Sequence, residues 1–392
     1  MRLPRLATMT DPNEPTGPAS DRLSGDADRD DRLTPRDSRG RHRAVAAGAG
    51  EGPFDEADPA AHDEPDDVEE PKKKAGCLKV GCLTLLTMFV ISALAVGGFA
   101  AYLNWKLDNN IQRSDMIPDD AGQPTRKSEA GEALNILLMG SDSRSKDLND
   151  SSRSDVIQLV HISDDRKSVQ VIHFPRDLYV SIPGHGKNKI NAAYAYGGEK
   201  LLILTLQNLL GVKIDHAAQI GFEGFGKLTN TVGGVDVYVP QQYNDGRQTW
   251  TVGRHHMDGE QALRFVRQRY QLREGDIDRG RNQQAWIKAV MAKTLKAGTL
   301  LNPVKLNKMV DDLTADKNLR VDEDMQVQSI GLSLRNLRMS GVTFYTAPFT
   351  GLGSDPRAGS IVIADEAKIK RLGAAVANDD FSNYSASTNP LQ

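Results

Sequence analysis

Cysteine is nearly absent from the 392 residues: there are two, Cys77 and Cys82. Both sit at the start of an apolar run, so any domain beyond that run has no thiol for a disulfide or a thiolate metal centre, and acylation is the chemistry left to them. Aromatic residues make up 6% of the chain, and residues 1–75 contain one, Phe54. A stretch that rich in Asp, Arg, Gly, Pro and Ala has too little to bury and reads as disordered. Two familiar nucleophile and metal signatures are also missing. No HExxH spacing pairs the histidines as zinc ligands, and no Gly-x-Ser-x-Gly elbow offers a serine nucleophile. His161 and His173 fall inside apolar strand-like runs and read as packed residues. No internal repeat is visible.

Charge is missing altogether from Val80 to Leu103, a run long enough to cross a bilayer as a helix. It lies behind Lys72, Lys73, Lys74 and Lys79, which predicts a cytoplasmic N-terminus and everything after Trp105 outside. Its place far into the chain points to an anchor rather than a cleavable signal. The expected organisation is a disordered cytoplasmic tail (1–76), a transmembrane helix (77–103), a linker marked by Pro118, Gly122 and Pro124 (104–132), a globular extracytoplasmic domain (133–378) and a loose tail (379–392). Such a protein is a single-pass resident of the cell membrane.

Within the globular part, three apolar runs deliver charges at their ends. Leu134–Met139 breaks at Gly140 and releases Asp142 and Arg144; Arg153 and Asp155 precede the run through Ile162; Val169–Phe174 stops at Pro175 before Arg176 and Asp177. Continuous apolar runs between turn residues are what strands covered on both faces look like. Carboxylates and guanidiniums at their rims suggest phosphate chemistry, with oxygen ligands for a hard cation and forks for phosphoryl oxygens. Downstream, KINAAYAYGGEKLLILTLQNLLG reads as a helix apolar nearly all round, and HAAQIGF and VDVYV read as strands. Asp258 with Gln261 reads as a capping box opening the next helix, and VTFYTAPF is the last strand expected. Alternating strands and helices predict an α/β fold, a mixed central sheet with helices on both faces.

The strings GSDSR, RSDVIQLVHI, FPRDLYV, KINAAYAYGG and RFVRQRYQLREGDIDRGRNQQ follow one another from Leu134 to Gln284. In order and spacing they resemble the LytR-CpsA-Psr family of cell-wall enzymes. The resemblance implies a transferase that moves a glycopolymer from a polyprenyl-pyrophosphate carrier to a peptidoglycan sugar hydroxyl through a phosphodiester. It implies Mg²⁺ held by Asp142 and Asp155, either of which is also a candidate base. It further implies that Arg153, Arg176, Arg267, Arg269 and Arg279 face the pyrophosphate, with Arg144, Asp177, Lys189, Asn191, Asp276, Arg281 and Gln283 contacting substrate. The helix from Leu201 to Leu210 is a candidate lining for the prenyl chain.

Arg267 and Arg269 carry a geometric condition. On a helix they diverge by roughly 200°, whereas extended backbone puts them on one side, so if both serve the site the helix from Asp258 must end near Val266. Asn282 stands where relatives often have an arginine, which leaves open whether Arg281 substitutes. Arg264 and Arg273 read as solvated surface. GFEGFGKL after a strand nearly fits a phosphate loop, but Leu228 replaces the Mg²⁺-binding hydroxyl and Glu223 repels phosphate. A pyrophosphatase using water as acceptor would need the same residues. A DNA-binding regulator is disfavoured because the folded domain is expected outside and no basic helix-turn-helix precedes the anchor, so no nucleic-acid partner is expected.

Overall fold

The computed structural model describes residues 76–119, 123–141, 154–296, 302–315 and 318–384. Helix α1 (Gly76–Asn110) has no proline to interrupt it. Its side chains at Leu85, Phe89, Leu94 and Val96 are exposed. Leu85–Asn110 is long and apolar enough to cross a membrane, and an apolar surface of that extent is not left to water.

The helix outlasts its apolar run. Lys106 pairs with Asp311 at 2.5 Å and donates to Asn307 at 2.8 Å. The next residues, expected as a linker, join the domain instead: β1 (Gln112–Ser114) pairs in parallel with Leu319–Asp322, and Met116 is fully buried. A polar three-residue edge strand carries no alternation that the sequence could betray.

Strands β2 (Leu134–Ser141), β3 (Ser154–Ile162) and β4 (Val169–His173) form the centre of the main sheet. After β5 (Leu178–Ile182) and β6 (Gly186–Lys189), α2 (Ile190–Leu210) bends at Gly197 and Gly198, where Gly198 takes φ +62°. That conformation suits glycine and splits the long helix into two segments. Next come β7 (His216–Gly221), α3 (Phe222–Thr231), β8 (Val235–Val239), β9 (Tyr243–Asn244), β10 (Thr249–Trp250) and β11 (Gly253–Met257). Helices α4 (Gly259–Arg267), α5 (Asp276–Thr294) and α6 (Pro303–Thr314) precede β12 (Leu319–Asp322) and α7 (Val327–Ser333). The chain closes with β13 (Val342–Thr346), β14 (Phe349–Asp355), β15 (Gly359–Ala364) and α8 (Glu366–Ala377). VTFYTAPF is therefore not the last strand; a hairpin and a helix follow it.

The main sheet has the order β1-β12-β7-β2-β3-β4-β13, and a second sheet runs β14-β15-β5-β6. Parallel and antiparallel pairs alternate irregularly, so the sheet is mixed, as expected. Successive residues of β2 enter opposite cores. Leu137 and Met139 pack with Leu202, Ile203 and Leu206 of α2 and with Ile369 and Leu372 of α8. Ile136 packs with Val171, Phe344, Ile287 and Met291 on the side covered by α5 and α7. Two covered faces are why the strands read as unbroken apolar runs. Each of those buried leucines and isoleucines contributes roughly 1.5–3 kcal/mol. A third cluster joins β8 and β11 to α3, α4 and α5 around Trp250 and Phe265.

The domain does not stop at Asn378. Asp379 pairs with His161 Nε2 at 2.8 Å, and Phe381 and Tyr384 pack against Tyr345 with ring centroids 5.8 and 5.4 Å away. A short polar-looking tail with two aromatics thus belongs to the core as far as Tyr384.

Candidate active site

The strand register defines one rim. Thr346 of β13 lies beside His173 of β4, which lies opposite Gln158 of β3; Ser141 of β2 lies beside Gly221 of β7 and opposite Ser154. The ends of β2, β4, β7 and β13 and the start of β3 therefore share an edge. Between β2 and β3 the pairing slips from Gly140 with Val156 to Ser141 with Ser154, which leaves Asp155 as the extra residue of a bulge. Bulges recur where a sheet edge must aim a side chain. Asp142, Arg144 and Arg153 lie outside the described residues, as does the side chain of Asp155. The backbone nonetheless brings the strand end that delivers Asp142 against the strand start that holds Asp155. Among the described residues, no group of three or more His, Cys, Asp or Glu gathers as a metal site.

At the same rim, β4 is followed by a buried Phe174, whose N–H donates to Ile157 O at 2.9 Å, and the turn after Pro175 projects Arg176. Arg176 Nε lies 3.2 Å from Asp276 Oδ1, and Arg279 Nη2 forms an ion pair with the same oxygen at 2.6 Å. These side chains are 15%, 13% and 7% exposed. Asp276 and Arg279 are one turn apart at the start of α5, so the helix presents both on one face. Asp177 stands 4.0 Å from Arg176 and takes Lys189 Nζ at 3.0 Å, and Asn191 N–H donates to Arg176 O at 3.2 Å. Arg176, Asp177, Lys189, Asn191, Asp276 and Arg279 are thus brought together. One carboxylate holding two guanidiniums orients both forks while leaving the cluster with surplus positive charge, which suits an anion with several oxygens.

The condition on Arg267 and Arg269 is met. The Asp258–Gln261 capping box is present, α4 ends at Arg267, and Gln268 is extended with ψ 128°. Arg269 lies over the Tyr270 ring at 4.9 Å and donates to its hydroxyl at 2.9 Å. Arg269 first, and Arg176 as well, hold the Tyr270 phenol below its usual range, so this pair lies within electrostatic reach of Arg176. Tyr270 was not expected at the site; its only signal was a place directly after Arg269 in extended backbone.

Other expected residues go elsewhere. Arg281 pairs with Glu274 and, at 2.7 Å, with Asp278, on the far side of α5 from Arg279, so it does not supply the cation that Asn282 lacks. Asn282 donates to Phe265 O at 3.3 Å and Gln283 to Val266 O at 3.5 Å. Both amides serve the carbonyls that the end of α4 leaves over. Arg264 is a structural partner rather than a solvated charge, 2.9 Å from Asp245, whose side chain is 4% exposed. Gly221–Leu228 belongs to a strand and an ordinary helix. Leu202, Ile203, Leu206 and Leu210 of α2 are core residues.

His173 is packed, as expected, and supports the cluster from behind. Its Nε2 is so close to Gly280 that a Cβ there would meet it at 2.0 Å, so glycine lets α5 settle on the ring one residue after Arg279. Burial, then the charges of Arg279 and Arg281, push the imidazole pKa down to about 3. The native state keeps His173 neutral while the unfolded chain takes up a proton below about 6.5. Stability is therefore complete above pH 6.5 and falls on acidification towards pH 3, by up to roughly 1.4 kcal/mol per pH unit. Urea unfolding across that window should show this slope, reduced in His173→Leu; an unchanged slope would remove His173 as its source. His161, also lowered mainly by burial, acts in the same direction.

A mixed α/β domain with arginines gathered around one carboxylate at a strand rim suits the binding of an anion with several oxygens. The family model described as LytR_cpsA_psr matches residues 103–377, and the chain belongs to that family. It is 31% identical over 278 residues to the cell wall biosynthesis protein LcpA of Corynebacterium glutamicum, covering 59% of this chain and 53% of that one. It is 30% identical over 226 residues to the polyisoprenyl-teichoic acid–peptidoglycan teichoic acid transferase TagU of Enterococcus faecalis, covering 57% of this chain and 75% of that one. The chain spans about half the length of the LcpA relative and three quarters of the TagU relative. The fold matches the crystal structure of B. subtilis TagV with TM-score 0.53 at 24% identity, over 63% of this chain and 98% of that one.

Proposed function

We infer that this protein is a membrane-anchored transferase that takes a glycopolymer from a polyprenyl-pyrophosphate carrier and joins it to a sugar hydroxyl of peptidoglycan. The observation that carries the reading is the pair of guanidiniums sharing Asp276 Oδ1 at the strand rim, in a chain whose relative TagU bears a transferase name. The acceptor oxygen attacks the phosphorus that carries the glycopolymer, the bridging P–O bond breaks, and polyprenyl monophosphate leaves. The hydroxyl proton goes to a base, for which Asp142 and Asp155 are the candidates. Arg176 and Arg279, with Arg267 and Arg269, neutralise the charge that grows on the bridging and equatorial oxygens.

Asp142 and Asp155 would hold Mg²⁺, which would supply further charge neutralisation at the diphosphate. Helix α1 keeps the domain beside the bilayer that carries the donor, and the lysines before it support an N-terminus in the cytoplasm and the site outside. The test is to incubate the full chain in detergent with lipid-linked oligosaccharide and peptidoglycan fragments and to seek the phosphodiester by mass spectrometry. Transfer is expected; release of sugar phosphate to water alone would make the protein a pyrophosphatase instead.

A further inference from the structure

A cavity of about 970 Å³ lies on the other side of α5 from Arg279, between that helix and β8. Its shape follows from sequence. Ala285, Ala289 and Ala292 succeed one another along one helical face and form a floor too short to fill the trough. The opposite wall comes from β8, where Asp236 and Tyr238 alternate outward with the buried Val235, Val237 and Val239. Tyr238 is 55% exposed, a flat apolar face with nothing packed over most of it.

The charges lining the cavity do not cancel within the protein. Asp236 is taken by His256 at 2.8 Å and Lys293 at 3.2 Å, and Glu274 and Asp278 are taken by Arg281. Among the described residues, Arg254 and Arg273 line the trough with no ion pair of their own. An aromatic wall with two uncommitted guanidiniums fits sugar rings that carry carboxylates. The trough begins at Glu274, Asp278 and Arg281, in the turn of α5 whose other face holds Asp276 and Arg279. A polymer lying in it would therefore end about one helix width from the diphosphate cluster, around the first turn of α5.

We propose that this trough is the acceptor site, holding the carboxylate-bearing peptidoglycan strand whose hydroxyl attacks the donor. The proposal rests on the transferase reading above and assigns the acceptor a site that the arginine cluster does not provide. Arg254→Glu and Arg273→Glu should each raise KM for a stem-peptide-bearing peptidoglycan tetrasaccharide at least fivefold. The KM for the lipid-linked donor and the rate of its hydrolysis without acceptor should stay unchanged. Ala289→Trp, which fills the floor, should do the same. The neutral tetrasaccharide of N-acetylglucosamine, used as the acceptor probe, should respond to Ala289→Trp but little to the charge reversals. Acceptor KM within twofold of the parent in all three variants, while the parent still makes phosphodiester, would overturn the trough and leave the transferase reading intact. A donor KM rising in step with acceptor KM would also overturn it, since the change would then reach the donor site. A parent that only hydrolyses donor removes both.

Discussion

Arg279→Lys is expected to lower the rate of transfer by a factor of tens to several hundred while the domain stays folded. Arg279 is 7% exposed and approaches Asp276 Oδ1 to 2.6 Å with one terminal nitrogen, so its guanidinium is held in a fixed orientation. Lysine carries the same charge as a point at the end of a flexible stem, and it cannot hold the carboxylate and a phosphoryl oxygen in one plane. Removing one charge-assisted hydrogen bond from such a site costs roughly 2–4 kcal/mol of transition-state stabilisation. Arg176→Lys and Arg267→Lys should fall in the same range. Arg247→Lys is the control, because Arg247 is 69% exposed and, among the described residues, forms its ion pair with the similarly exposed Glu260. Steady-state transfer kinetics, with circular dichroism to verify the fold, make the comparison. Three lysine variants as active as Arg247→Lys would mean that the cluster is generic positive charge.

What could be read from the sequence followed from what each segment buries. The central strands were legible because both faces are covered, which leaves no polar interruption strong enough to break the runs from Leu134 to Met139 and from Val169 to Phe174. The end of α4 was legible because two arginines two apart can share a site only in extended backbone. The edge elements were not. β1, β14 and β15 are short, or half-exposed with a glycine-broken pattern such as FTGLGSD, and the partners that tie them to the domain, β12 for β1 and β5 for β15, lie far along the chain. The attachment of Asp379, Phe381 and Tyr384 depends on His161 and Tyr345, which only the fold brings near. At the site, Arg176, Asp276 and Arg279 were expected by resemblance, but their sharing of a single oxygen was not. Arg281 went astray for a helical reason: two residues beyond Arg279, it falls on the face that meets Asp278, whereas Gln283, four beyond, shares Arg279's side of α5 and reaches the end of α4.

Asp142→Ala and Asp155→Ala should each abolish most transfer, by roughly a hundredfold or more, and excess chelator should do the same to the parent. A metal ion at a phosphoryl centre supplies several kcal/mol of charge stabilisation, and each ~1.4 kcal/mol is a decade in rate. The register slip at Asp155 sets that residue apart from the ladder, and the paired strand end at Ser141 delivers Asp142 to the same edge. Mg²⁺ keeps most of its water and needs few protein oxygens, so two carboxylates suffice when diphosphate completes the shell, and one does not. Binding of the ion gives a readout independent of turnover. With a short polyprenyl diphosphate present, Mg²⁺ should raise the melting temperature of the parent, because a ligand that binds only the native state stabilises it. That increment should vanish in both variants, while their melting temperatures without Mg²⁺ should not fall, since removing a carboxylate near another one relieves like-charge repulsion. Full activity in chelator would exclude the metal. An intact Mg²⁺ increment in either variant would move the ion to other ligands.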